Sequence, residues 1–261
     1  MCIYSNKLKN KIIIVMKLNF RFLKKVKNKF YLEDLKELIR QKGSDTSFPF
    51  GKKFPILNER FESSGILSGH YFHQDLLVAR KIFENNPGNH LDIGSRTDGF
   101  VAHIAVFRKI EVMDIRELDS KVKNIEFTKA DLMKLPDNML NKYDSISTLH
   151  VIEHFGLGRY GDPIDYYGHI KAIDNITKML KTGGKLYFST PIGPQRIEFN
   201  AHRVFSIQYL LNMFKEYYTV DSFSFVNDIG DLFENVGLEE KKIASNFDCQ
   251  YGCGIFEFTK K

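Results

Sequence analysis

The segment Leu91-Asp92-Ile93-Gly94-Ser95-Arg96-Thr97-Asp98-Gly99-Phe100 constrains the fold more than any other stretch of the chain. It reads as an apolar strand turning through glycine into a helix, the junction at which an open α/β sheet presents its ligand crevice. Gly94 lets the backbone approach a ligand closely, and the helix beginning near Arg96 offers unpaired N–H groups to an anion. Two nucleotide classes are disfavoured by the intervening residues. A dinucleotide loop needs G-x-G-x-x-G, and Arg96 stands where the second glycine belongs. A nucleoside triphosphate loop needs a lysine after its last glycine; Gly94 and Gly99 have the spacing, but Phe100 and Val101 follow. A nucleoside bearing an amino-acid carboxylate, without a pyrophosphate, fits best.

The residues from His90 onward keep this rhythm. Short apolar runs at 90–93, 110–113, 125–127, 143–149 and 185–190 predict strands, and stretches at 99–107, 164–181 and 206–217 predict helices. Ser206 is the expected N-cap of the last helix, and Lys181-Thr182-Gly183-Gly184 the expected end of the one before it, followed by a turn. Alternation of this kind predicts a mostly parallel sheet with helices on both faces. Runs at 219–226 and 254–259 are candidates for additional edge strands. The second strand ends in Asp114, 22 residues after Asp92, where a carboxylate can accept both ribose hydroxyls. Asp131-Leu132, after the third strand, can meet an adenine amino group and cover the ring.

Ahead of this core, residues 1–42 are expected to form a basic amphipathic arm and residues 43–88 a linker and helical cap, leaving 89–261 as the core. Phe20, Leu23, Val26 and Phe30 recur at helical spacing in the arm. Leu76, Leu77, Ala79, Arg80 and Phe83 are compatible with a buried stripe on the cap helix. Charge is segregated: residues 1–32 hold nine Lys/Arg and no acid, leaving 29 basic against 32 acidic groups in the other 229 residues. A near-neutral body argues against nucleic acid as a partner. The arm itself suits a membrane surface, a partner protein or plain solvent. The apolar run at 12–16 is too short for a secretory signal, and with the unpaired set Cys2, Cys249 and Cys253 it points to a cytoplasmic protein, with the inner membrane face as the arm's alternative. Met16 before Lys17 offers a second translation start.

Taken together, Asp92, Gly94, Ser95, Gly99, Asp114, Asp131-Leu132, the strand Asp144–His150 and the approach Leu180–Leu186 resemble the class I S-adenosylmethionine-dependent methyltransferases over residues 88–192. The resemblance implies a Rossmann-like seven-stranded α/β sheet, mostly parallel with one antiparallel strand near an edge, and an N-terminal helical extension. It implies S-adenosylmethionine as cofactor, held by Asp92, Gly94, Ser95, Arg96, Gly99, Asp114, Ile115, Asp131, Leu132 and His150. The segments 70–76, 154–163 and 199–205 are also similar to a little-characterised bacterial family found with capsule and lipopolysaccharide genes. That similarity implies a precursor of a surface glycan as the acceptor.

Methyl transfer from a sulfonium requires an aligned acceptor, exclusion of water and, for a sugar hydroxyl, a base. His150-Val151-Ile152-Glu153-His154 follows the fourth strand. H-x-x-E-H is also a zinc-hydrolase pattern, but that pattern needs a helix, and 143–149 reads as a strand running straight into His150. His154 is the expected base, with Glu153 orienting it or binding substrate; the alternative is that Glu153 caps backbone N–H groups while His154 packs under a loop. His202 is a second candidate base. His73, Arg159, Tyr160 and Arg203 are candidate substrate contacts, the arginines suiting a phosphorylated or nucleotide-linked acceptor. The glycine-rich stretch 156–161 is expected to be a mobile lid. No metal is expected, although Glu153 and its neighbouring histidines leave room for a divalent ion. Two rival functions remain: a cofactor-binding scaffold of a glycan-assembly complex, and a nucleic-acid methyltransferase. The second lacks an Asn/Asp-Pro-Pro-Tyr motif after strand four.

Overall fold

All four residues of the strand His90–Ile93 (β1) are buried, as a strand with neighbours on both sides and helices on both faces must be. A computed structural model describes residues 29–119, 121–134 and 137–261. In it β1 pairs in parallel with Ile110–Asp114 (β2) through Asp92↔Val112, and with Tyr143–Leu149 (β4) through Leu91↔Ile146. Ile125–Lys129 (β3) extends the sheet beyond β2, and Leu180–Ile192 (β5) beyond β4. Two short strands, Arg196–Glu198 (β6) and His202–Val204 (β7), form a separate hairpin. Tyr218–Val226 (β8), Leu232–Phe233 (β9) and Gly252–Lys260 (β10) complete the order β3-β2-β1-β4-β5-β10-β8-β9. The last strand in sequence thus lies between β5 and β8, antiparallel to both.

The sheet is the expected mostly parallel one, with one strand more than the seven anticipated. The extra strand is the two-residue β9, folded back onto β8 through a turn that contains Gly230 at φ +93°. Lys181–Gly184, expected as a helix end and turn, instead lies within the residues of β5 as a register shift: Tyr143 pairs with Leu180, and regular pairing resumes at Ser145↔Lys185. His202 and Arg203, expected on a loop, are on β7, fixed by Glu198↔His202 and Ile197↔Arg203 pairing.

A period of two divides the sheet's side chains between two apolar layers. On one face Val112, Leu149, Cys253 and Ile255 meet His70–Asn85 (α2) and Ala102–Ala105 (α3). On the other Met113, Ile146, Phe256 and Phe258 meet Gly168–Met179 (α4) and Ile207–Phe214 (α5). A short helix, Glu240–Ala244 (α6), precedes β10. Ser206 caps α5 as anticipated, its hydroxyl accepting from Tyr209 N at 3.3 Å. Along α2 the buried stripe is Leu77, Val78, Ala79 and Ile82, each large member contributing about 1.5–3 kcal/mol. Leu76 and Phe83, expected in that stripe, are exposed, and Phe83 packs edge-on against Phe107.

Leu67–Lys261 forms one unit, which includes α2. The described residues before it contain a helix over residues 29–42 (α1), where Arg60 pairs with Asp34 and lies over the Phe30 ring. Phe20, Leu23, Val26 and most of the basic arm lie outside the described residues. Among the described residues no helix is long and apolar enough to cross a membrane.

Candidate functional site

The chain leaves β1 toward β2 on one side and later returns through β4 on the other, so a crevice opens at the carboxyl ends of these strands. It is an open cleft, lined by Gly94 after β1, Asp114 and Ile115 at the end of β2, Asp131 and Leu132 after β3, and His150 after β4. Gly94 sits at φ +68°, and a Cβ there would come within 2.8 Å of Val151 Cγ1, so both conformation and close approach require glycine. Asp131 accepts from Met133 N at 3.0 Å, which orients its carboxyl group at the mouth of the third strand.

Asp92 does not line this cleft. It is fully buried beneath the turn and accepts from Ser95 N at 3.1 Å, Ser95 Oγ at 2.6 Å and Ser147 Oγ at 2.6 Å. His90 Nε2 lies 3.1 Å from Ser147 Oγ and Nδ1 2.7 Å from Ser145 Oγ. Because the Ser147 hydroxyl donates to Asp92, it receives the His90 Nε2–H, and Nδ1 accepts from Ser145. Burial pushes the Asp92 carboxyl up to about 6 and His90 down to about 3. Asp92 and Ser95 therefore shape the glycine turn from below. Arg96 points away, paired with Asp98 and lying 5.0 Å over the Tyr71 ring. At Gly99 a Cβ would lie 2.5 Å from Asp75 Oδ2, so this glycine admits the Asp75 carboxylate against the helix start.

On the opposite wall, His150 takes φ +57°, uncommon for a residue with a Cβ, and its ring stacks on His70 at 5.2 Å and lies tilted against Tyr71 at 5.1 Å. Glu153, also buried, accepts from His150 Nδ1 at 2.9 Å and from Thr190 Oγ1 at 3.3 Å. Burial opposes its charge, yet His150 and His154 outweigh burial and hold its pKa below the ordinary value. Burial likewise disfavours the His150 imidazolium, but Cys253 and Glu153 beside it raise its pKa well above the usual range. His154 lines the cleft and approaches Ala201 O with Nδ1 at 2.7 Å. A carbonyl only accepts, so the His154 proton resides on Nδ1 and Nε2 carries the lone pair. Burial lowers its pKa, keeping the ring neutral and able to take a proton.

The glycine-rich stretch is stapled rather than loose. The Asp162 carboxylate accepts from Gly156 N at 2.8 Å, Gly158 N at 3.2 Å and Tyr160 N at 3.2 Å. Tyr160 thereby stands edge-on to His154, with Arg116 4.5 Å and Arg159 5.2 Å from its ring. Arg159 donates to Ala201 O at 3.0 Å, beside His154.

His73, Glu153, Arg159, His202 and Arg203 are not among the residues that line the cleft. His202 lies against Glu198 and Tyr251. Arg203 is buried and donates to Phe155 O at 2.6 Å and Tyr166 O at 3.0 Å, which spends its guanidinium on backbone. In its place Arg116 lines the cleft, an arginine that sequence reasoning passed over although it stands two positions after Asp114. It grips Asp114 through Nε at 3.0 Å and Nη2 at 2.7 Å. Val151, Phe155 and Asp162 also line the cleft and carry no signal in the sequence beyond adjacency to His150 and the glycines.

A protein family described as "Caenorhabditis protein of unknown function, DUF268" matches residues 99–249, more than half of the chain. No curated protein sequence matches. Among solved structures, the chain is similar to a Burkholderia thailandensis 1,6-didemethyltoxoflavin-N1-methyltransferase bound to its substrate and S-adenosylhomocysteine (TM-score 0.52, 12% identity, 72% of this chain and 78% of that one). It is also similar to the [4+2]-cyclase SpnF (TM-score 0.52, 15% identity, 75% of this chain and 88% of that one). At these identities the likeness establishes a Rossmann-like methyltransferase fold, and one of the two structures bears the name of a different reaction, so chemistry has to be read from the site.

Proposed function

The chain belongs to the DUF268 family, whose description names no activity, and from its own site we propose that it is an S-adenosylmethionine-dependent methyltransferase. One observation carries the reading: a single cleft gathers Gly94, Asp114, Asp131-Leu132 and His150 from the ends of four adjacent parallel strands. These residues suit a nucleoside with an amino-acid tail. The Gly94 turn approaches the tail, Asp114 receives ribose hydroxyls, and Asp131 with Leu132 addresses the adenine. Arg116 must release part of Asp114 for the ribose to dock, so it acts as a gate on the nucleoside end. Presence of S-adenosylhomocysteine in one similar structure supports the same cofactor here.

The acceptor is a small anionic molecule methylated on oxygen, with a phosphorylated or nucleotide-linked sugar for a surface glycan as the finer reading. Its support is the sequence resemblance, the neutral His154 facing the cleft, and the cations Arg116 and Arg159 around Tyr160. His154 Nε2 takes the hydroxyl proton as the oxygen attacks the methyl carbon and the sulfonium leaves as a thioether. Glu153 positions the histidines and does not touch the acceptor.

Calorimetric titration with S-adenosylhomocysteine, with NAD in parallel, tests the cofactor. Binding of the first and not the second, lost in Asp114→Ala, is the expected outcome; binding of NAD alone would sink the proposal. With an acceptor in hand, His154→Ala lowers kcat by about 10²–10⁴-fold while cofactor affinity persists. Unchanged turnover would remove His154 from the mechanism and favour a cofactor-binding scaffold.

A further inference from the structure

Behind the wall of the cleft, three groups from distant parts of the chain converge. His70 opens α2, His150 follows β4 and Cys253 lies on β10, and each brings one ligand atom within 4.8 Å of the others. The His150 Nε2 atom is buried, and apart from its interaction with the neighbouring Cys253 thiol it has no hydrogen-bond partner. A buried, unpartnered imidazole nitrogen is costly unless something occupies it.

The surroundings are those of a ligand set. His150 Nδ1 is held by the Glu153 carboxylate at 2.9 Å, which fixes the ring and directs Nε2. The His70 ring is held by a hydrogen bond to the backbone of Tyr251, leaving its other nitrogen for the cluster. Metal-bound histidines characteristically give their second nitrogen to a carboxylate or a backbone group in this way. The two rings stack at 5.2 Å with an interplanar angle of 19°, and the left-handed backbone at His150 is what turns its ring into the stack. Cys253 Sγ, fully buried, lies 3.7 Å from Gln74 Oε1, which receives the thiol hydrogen.

A thiol nucleophile is the competing use of a Cys–His–Glu arrangement. Cys253, however, is fully buried near the start of β10, paired with Pro191 of β5 and Val226 of β8, which denies an electrophile access to its sulfur. We propose that His70, His150 and Cys253 form a binding site for a borderline-soft divalent cation, zinc above all, with a water completing the tetrahedron. Two imidazoles and a thiolate suit that ion, at about 2.0–2.1 Å for nitrogen and 2.3 Å for sulfur, so the three ligands draw inward on binding. The Cys253 thiol and the His150 Nε2–H both lose their protons to solvent on binding, and affinity therefore weakens as pH falls. Bound there, the ion would tie the first turn of α2 to β4 and β10. It would also hold His150 against the cleft, whatever reaction the cleft performs; the inference does not rest on methyl transfer.

Cobalt(II) titration of the full, chelator-treated chain tests this, with equilibrium dialysis against zinc. One equivalent of cobalt with a thiolate charge-transfer band, displaced by zinc, is expected. Cys253→Ser should abolish the band and His70→Ala, at the half-exposed start of α2, should weaken binding without unfolding, as checked by circular dichroism. Glu153→Gln should lower zinc affinity by about 10–100-fold. No cobalt band, a band that persists in Cys253→Ser, or rapid stoichiometric alkylation of Cys253 without metal uptake would overturn the site. None of these readouts depends on S-adenosylhomocysteine, so failure here and failure of the proposed function are separable.

Discussion

At the scale of single residues, His154 and His90 show one physical effect used in two ways. Burial holds both neutral, His90 completely enclosed and His154 partly so, but only His154 faces the cleft with a free lone pair. Since burial lowers the His154 pKa, kcat should fall with acid only below the ordinary histidine value of about 6.5. A pH–rate profile whose acid limb lies above that value would exclude His154 as the base. For His90 the consequence is stability. Its pKa falls from 6.5 in the unfolded chain to about 3 in the folded one, so between these values the unfolded state binds the extra proton. Stability from this group is complete above pH 6.5 and is lost as pH falls toward 3, at about 1.4 kcal/mol per pH unit. Denaturant titrations from pH 7 to pH 5 should show the loss, and a shallower slope in His90→Gln. Gly94→Ala should cost about 1–2 kcal/mol from the left-handed backbone alone. The added contact with Val151 should remove S-adenosylhomocysteine binding as well, which calorimetry on the variant would register.

At the scale of elements, the loop after β4 turns on Asp162. Its carboxylate serves three backbone N–H groups, and the structure gives none of these a second acceptor to fall back on in Asp162→Ala. The variant should lose roughly 1–2 kcal/mol, lowering Tm by about 2–8 °C for a unit of this size. It should also raise KM for the acceptor by releasing Tyr160; an unchanged KM would show that Tyr160 takes no part in recognition. Strands were the most legible elements in the sequence, because a run such as Tyr143–Leu149 is buried on both faces and reads as continuous apolar or small residues. The hairpin β6–β7 was not legible, since three-residue strands carry no periodicity. The anchoring of the glycine-rich stretch was not legible for a related reason: glycine spacing reports conformational freedom, whereas the hydrogen bonds of Asp162, a side chain in the same loop, are a tertiary fact. In the site, Asp114, Asp131 and His150 were legible because topology alone sends residues at those positions to the crevice. The fates of Arg203 and Arg116 depended on which guanidinium meets backbone carbonyls and which meets solvent, a tertiary fact that spacing does not encode.

At the scale of the whole molecule, residues 67–261 form one unit whose sheet divides two apolar layers, and the cleft lies where the chain's path across that sheet reverses. The position of β10 has a consequence for how such a chain is made. From β5 onward the sheet runs β5-β10-β8-β9, so β10, the last of these in sequence, fills the gap between β5 and β8. During synthesis the earlier strands emerge with that gap open, so β5 and β8 each present an unpaired edge of backbone N–H and C=O groups until residues 252–260 leave the ribosome. Phe256 and Phe258, which seal the apolar layer against α5, arrive at the same moment. A nascent chain stalled before Gly252 should therefore bind hydrophobic dyes and chaperones, and one extended past Lys260 should not. For the cell, the vulnerable interval in the life of this protein is the short one before its final strand is in place.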